Sequence, residues 1–194
     1  MILGVHASVR RGHLRALDEA AELSCAALQV LPYPRHNAPT DEELAAFRAA
    51  RAASSVRVLL VHSRFVPSLA SSEDARRARS VAHLAEELRL CAALGGNSYV
   101  LHAGAYSPDS DAEQGVRLFS ESVRRAVEKS GYRGTLLLEN VPGGGRRMGG
   151  SFEELARLQD AVRPHVAGPR RPNPAMASTG CAGAPRSPRT TRSW

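Results

Sequence analysis

The chain is poor in lysine, in aromatics and in long apolar runs. Lys129 is the single lysine among 26 basic residues, and aromatic residues fill 5% of the 194 positions. No stretch approaches the ~18 consecutive apolar residues that a membrane-crossing helix needs, so no membrane span and no membrane partner is expected. The three cysteines, Cys25, Cys91 and Cys181, are odd in number and widely spaced. That excludes a disulfide framework and fits a reducing compartment. Cys25 and Cys91 read as buried, small apolar residues. The opening Met1–His6 lacks the basic and apolar regions of a secretory signal, so a cytoplasmic location is expected.

Acidic residues are missing from one whole region. Between Pro164 and Trp194 there are five arginines, no Asp or Glu, no Leu, Ile, Phe or Tyr, and six of the 12 prolines. Such a segment cannot bury enough apolar surface to offset its ordering entropy, so a basic, disordered tail is expected. The chain therefore divides into a folded part, 1–163, and a tail, 164–194. In the folded part 21 basic residues face 19 acidic ones, so most of the net +7 belongs to the tail. Total charge is thus no argument for nucleic acid. Arginine in place of lysine, with abundant alanine, also fits a GC-rich coding sequence.

Five short apolar runs are present: Ile2–Val5, Ala27–Leu31, Val56–Val61, Ser98–Leu101 and Thr135–Leu138. They are near-continuous rather than alternating, as in parallel strands covered on both faces. Helical periods separate them. Leu14, Leu17 and Ala21 mark the first; Leu44 and Phe47 the second, opened by a capping box from Thr40 to Glu43; Val81, Leu84, Leu88 and Cys91 the third. Val116, Phe119, Val123 and Val127 line the fourth, stopped by Gly131; Leu155, Leu158 and Val162 line the fifth, opened by Ser151 and Glu154. The strand starts recur every ~33 residues, close to the ~31 of a (β/α)8 barrel. An open doubly wound sheet has the same local units, but its glycine fingerprint is absent after the first strand. The expected fold is α/β: about five β-α units of a TIM barrel.

Three polar residues stand at the C-terminal ends of expected strands: His62, His102 and Glu139. In a barrel all three face the C-terminal mouth, where active sites lie. Two imidazoles and a carboxylate form a ligand set for a zinc site with an open position. One such residue alone reads as an ordinary strand-end polar group; three on successive strands favour a metal site. His6 also follows a strand, and either joins the site or supports it. His13, His36 and His83 read as surface residues. Val141–Arg147 reads as a mobile, basic loop beside the site.

Several short motifs carry a resemblance. Gly4-Val5-His6-Ala7-Ser8-Val9 resembles the opening strand of the endonuclease IV family of zinc-dependent apurinic/apyrimidinic endonucleases. Gln29-Val30-Leu31 with Pro34-Arg35 resembles its second strand and DNA-contacting loop, and His62-Ser63-Arg64-Phe65 with Pro67–Ser71 its third strand end. His102-Ala103-Gly104 is similar to its His-Pro-Gly, and Leu138-Glu139-Asn140 to its Leu-Glu-Asn. The match runs over about residues 2–163.

The resemblance implies a DNA-repair hydrolase that cleaves double-stranded DNA 5′ to abasic sites. It implies a cluster of zinc ions, with His62, His102 and Glu139 holding the first and Glu139 taking part in catalysis. It implies that Arg35 inserts into DNA and that Phe65 stands in place of a tyrosine, keeping the stacking surface without the hydroxyl. Arg10-Arg11 replace small residues of the family. The family's Asp-x-x-His motif and later ligands have no counterpart here, so at most one metal site and impaired activity are expected. Residues from about 167 onward read as a shifted reading frame with early termination. Two other readings stand beside this one. The first is a sugar isomerase or epimerase of the same barrel superfamily. The second is an inactive remnant without an obligate partner, self-associating through exposed strand edges.

Overall fold

A computed structural model describes residues 1–34, 38–96 and 98–166. Arg35, His36, Cys181 and the expectations for the tail lie outside the described residues. Five strands alternate with five helices: β1 (Gly4–His6), α1 (His13–Glu22), β2 (Ala27–Val30), α2 (Asp41–Ala52), β3 (Val58–His62), α3 (Asp74–Ala93), β4 (Ser98–His102), α4 (Ala112–Ser130), β5 (Thr135–Glu139) and α5 (Phe152–Val162). A 3₁₀ turn, Arg163–His165, follows.

The strands pair in parallel in the order β1-β2-β3-β4-β5. This order separates the two architectures that strand spacing alone could not. A doubly wound sheet reverses its strand order at a switch point. Here every strand adds beside its predecessor, and right-handed crossovers then place all the helices on one face. The chain thus forms five consecutive units of a (β/α)8-type barrel wall.

Burial alternates along the strands. Leu28, Val30, Leu59, Val61, Tyr99 and Leu101 are buried under the helices. The residues between them face the concave side, where Val58 and Leu137 are exposed. The expectation of strands covered on both faces is therefore corrected: among the described residues, helices cover only one. The apolar runs look continuous because the concave positions Val58, Leu60, Val100 and Leu137 are also apolar.

The helices follow their sequence signals closely. Thr40 and Glu43 form the capping box of α2, Asp111 caps α4, and Gly131 ends α4 in the left-handed conformation. Ser151 caps α5, but the Glu154 carboxylate accepts from Gly150 N–H rather than closing the box. In α3, Val81, Leu84, Leu88 and Cys91 are buried as expected. At ~1.5–3 kcal/mol per buried aliphatic side chain, this stripe outweighs any single cap, worth ~1 kcal/mol.

Helix α1 departs from expectation. It starts at His13, so a period of 3.6 residues places His13, Ala16, Leu17 and Ala20 on the inner face. Leu14 and Ala21 face outward. His13, expected at the surface, is buried: its Nε2–H donates to Leu31 O (3.1 Å) and its ring meets Phe47 edge-on. His83 is exposed, as read.

Candidate metal centre

Strand pairing carries the polar residues to one rim. His102 and Glu139 are register partners on β4 and β5, and His6 and Gln29 are partners on β1 and β2. His62 pairs with Val100, two residues short of His102. Since side chains alternate, each of these polar residues shares the concave face of its strand.

His62, His102 and Glu139 each offer a ligand atom, and the three atoms lie within 4.8 Å of one another. His62 Nε2 is 2.7 Å from Glu139 Oε2, and His102 Nε2 is 3.5 Å from the same oxygen. The two imidazoles meet edge-on with centroids 5.0 Å apart. The histidine side chains are largely buried and Glu139 is half-buried.

The other nitrogen of His62 decides what this cluster asks for. Nδ1 lies 2.8 Å from Ser63 O. A carbonyl oxygen only accepts, so Nδ1 carries the hydrogen. In the neutral imidazole, Nε2 then presents a lone pair to a carboxylate oxygen. Two acceptors at 2.7 Å repel unless positive charge lies between them, supplied by a second ring proton or by a metal ion. A ligating histidine typically donates its second N–H to a carbonyl or carboxylate, which is the arrangement of His62. The donor set and its convergence therefore fit a divalent metal ion.

Around this cluster the sequence-derived candidates fall differently. His6 stands beside it, its ring centroid 5.7 Å from that of His62, and its Nδ1 accepts from the Gln29 amide (3.0 Å). It does not join the three converging ligands. Burial, followed by the neighbouring His62, lowers its pKa from the usual 6.5. Phe65 sits on the loop after β3 with 63% of its surface exposed. The Arg64 guanidinium lies over both the Phe65 and Tyr33 rings, at 5.1 and 5.0 Å. A groove lined by His6, Arg10, Leu31, Pro34 and Arg64 runs beside the cluster.

The glycine-rich loop after β5 is tied down. Ala105 pairs with Arg147 in an antiparallel bridge, and Met148 N–H donates to Gly104 O (2.9 Å). The expectation of a mobile loop gives way to one laced to the segment after β4, with Arg146 and Arg147 exposed.

Sequence reasoning missed Glu87. It lies on the buried stripe of α3, between Leu84 and Leu88, and is only 4% exposed. It accepts from the Tyr99 hydroxyl, from Tyr33 OH (3.2 Å) and from Arg64 N–H (3.3 Å). Burial pushes its pKa above the usual carboxylate range, against the pull of these donors. A charged residue at i+3 from one stripe leucine and i−1 from the next was the available signal.

Residues 17–168 match the model of the xylose isomerase-like TIM barrel family, and the chain belongs to that family. Within it, the chain is 34% identical over 161 residues to endonuclease 4 of Thermus thermophilus, covering 80% of this chain and 57% of that protein. A crystal structure of endonuclease IV from the same species superposes with a TM-score of 0.66 at 32% identity, covering 82% of this chain and 59% of the other. A D-psicose 3-epimerase superposes with a TM-score of 0.64 at 17% identity, covering 86% and 62%, a likeness of fold alone. The chain spans just over half the length of the curated relatives it matches.

Proposed function

We propose that this chain is an endonuclease IV-like, metal-dependent phosphodiesterase acting on DNA at abasic sites. The observation that carries the reading is the facing pair of acceptors, His62 Nε2 and Glu139 Oε2 at 2.7 Å, with His102 converging on the same oxygen. Similarity to endonucleases 4 gives that cluster its substrate class.

In this reading His62, His102 and Glu139 hold one zinc ion, and Glu139 also takes part in catalysis. When bound, the ion supplies Lewis-acid polarisation of a phosphate and an activated water. The remaining work falls to the chain's own residues. Ser63 O holds the His62 ring so that Nε2 faces the cluster. Arg10 and Arg64 line the adjoining groove with fixed positive charge suited to a phosphodiester backbone. Phe65, exposed and backed by Arg64, offers a stacking face to a disrupted base step. Arg35 is its proposed companion.

The test has two arms. Zinc titration gives about one ion per chain in the wild type and none in His62→Ala. Abasic duplex binds the zinc-loaded protein more tightly than intact duplex, and Phe65→Ala lowers that preference. Equal affinity for the two duplexes, or zinc uptake that survives His62→Ala, overturns the reading.

A further inference from the structure

The Ser63–Arg64 peptide group is engaged at both ends. Its carbonyl, Ser63 O, accepts from His62 Nδ1–H at 2.8 Å. Its amide, Arg64 N–H, donates to Glu87 Oε2 at 3.3 Å. The planar peptide bond joins the two contacts rigidly. Rotating the plane to release one partner displaces the other. The group that receives the amide is itself fixed: Glu87 belongs to the long helix α3 and is held by hydroxyls from Tyr99 on β4 and Tyr33 after β2. A third contact steadies the same segment, since Ser63 N–H donates to Val100 O on β4 (2.8 Å).

We infer that Glu87 is a positioning residue for His62. Through the Ser63–Arg64 peptide it sets the ring's tautomer and aim, leaving Nε2 free to ligate. Two effects act in one direction. Geometrically, the buried carboxylate pins the peptide plane so that its carbonyl points at Nδ1. Electronically, an acceptor on the amide hydrogen polarises the peptide and makes its oxygen a stronger acceptor. Glu87 also receives Tyr33 OH, while Arg64 Nη1 donates to Tyr33 O at 2.7 Å. The loop after β2 and the loop after β3 are therefore referenced to the same buried carboxylate. This inference rests on the metal reading for its functional meaning, but the state of the His62 ring can be measured without any metal.

The experiment compares the wild type, Glu87→Ala, Glu87→Gln and Tyr33→Phe, all as full chains. Long-range ¹⁵N–¹H spectra of the metal-free proteins report the His62 Nδ1–H, which Ser63 O holds whether or not Nε2 is also protonated. The wild type and Tyr33→Phe show this Nδ1–H protected from exchange with water; Glu87→Ala shows it lost or exchanging freely. Competition with a chromophoric chelator reports zinc affinity. Glu87→Ala weakens it ~10-fold or more, and Glu87→Gln, a neutral and weaker acceptor of the same volume, ~3-fold, within or below the range for residues that orient a ligand. Tyr33→Phe loses a bond to Glu87 without touching the peptide, so it lowers the melting temperature but keeps the affinity. If Glu87→Ala does not fold, the Gln variant decides by the same two measurements. Unchanged Nδ1–H protection and affinity in a folded Glu87 variant overturns the inference, as does an equal loss in Tyr33→Phe. A wild type that binds no zinc sinks the metal reading instead, and the Nδ1–H comparison still judges Glu87.

Discussion

Replacing Glu139 by glutamine keeps the volume and shape of the side chain while removing the charge on which both histidines converge. Without metal the cost is small. The lost partner is the His62 contact at 2.7 Å on a half-buried carboxylate, and one such hydrogen bond is worth ~1 kcal/mol. With metal the cost is larger. An ion that binds only the folded state at 100 times its dissociation constant stabilises by ~2.7 kcal/mol. For a chain of this size each kcal/mol moves the melting temperature by ~2–4 °C, so zinc raises it by about 5–11 °C. If Glu139→Gln weakens binding ~100-fold, the same zinc concentration gives only ~0.4 kcal/mol, or about 1–2 °C. Differential scanning fluorimetry with and without zinc, on the wild type, Glu139→Gln and His83→Ala, makes the comparison. His83 is exposed and outside the cluster, so its variant keeps the full shift. A zinc shift that survives Glu139→Gln, or none in the wild type, refutes the reasoning.

Three further outcomes follow from the structure. Gly104 has φ +77°, and a Cβ there would lie 2.6 Å from the backbone oxygen of Pro67; Gly104→Ala therefore destabilises by ~2–4 kcal/mol, combining left-handed strain with a backbone clash, as chemical denaturation would show. Asp111 accepts from Gln114 N–H at 2.7 Å as the cap of α4, so Asp111→Ala costs ~1 kcal/mol on the same assay. Burial lowers the His13 pKa below its ordinary 6.5. Its contribution to stability is therefore complete above about pH 6.5 and is lost as the pH falls from there through the folded-state value. The melting temperature should decline over that window and flatten in His13→Gln.

The architecture was legible in the sequence because parallel strands and covering helices leave separate marks: short apolar runs at a steady interval, and capping residues such as Thr40 and Ser151. His62, His102 and Glu139 were legible for a related reason. A polar residue ending an apolar run has few places to point except the rim of the sheet. Less visible were features that depend on the phase of a helix or on contacts between distant segments. His13 was misread because one residue of phase at the start of α1 turns an outer position into an inner one. Glu87 was passed over because its partners Tyr33, Arg64 and Tyr99 come from three other elements, brought together only by the sheet. The apolar positions of the concave face were uninformative, since Val58, Val100 and Leu137 carry apolar side chains whether or not anything covers them.

The unbroken strand order, each strand beside the one before it, also bears on how the chain reaches this structure. No strand waits for a partner from far along the chain; β2 can dock on β1 as soon as it is made, and β3 on β2. Each pairing closes over one helix and its connections, from 23 residues (Gly4 to Ala27) to 38 (Leu60 to Ser98), slower than a hairpin but never waiting on the far end of the chain. A ribosome delivering the chain from its N-terminus would thus release a growing sheet, with Ser63, Arg64 and the Tyr99 ring already in reach when α3 and β4 have emerged. Among the described strands the His62, His102 and Glu139 cluster would be completed last, since Glu139 ends β5.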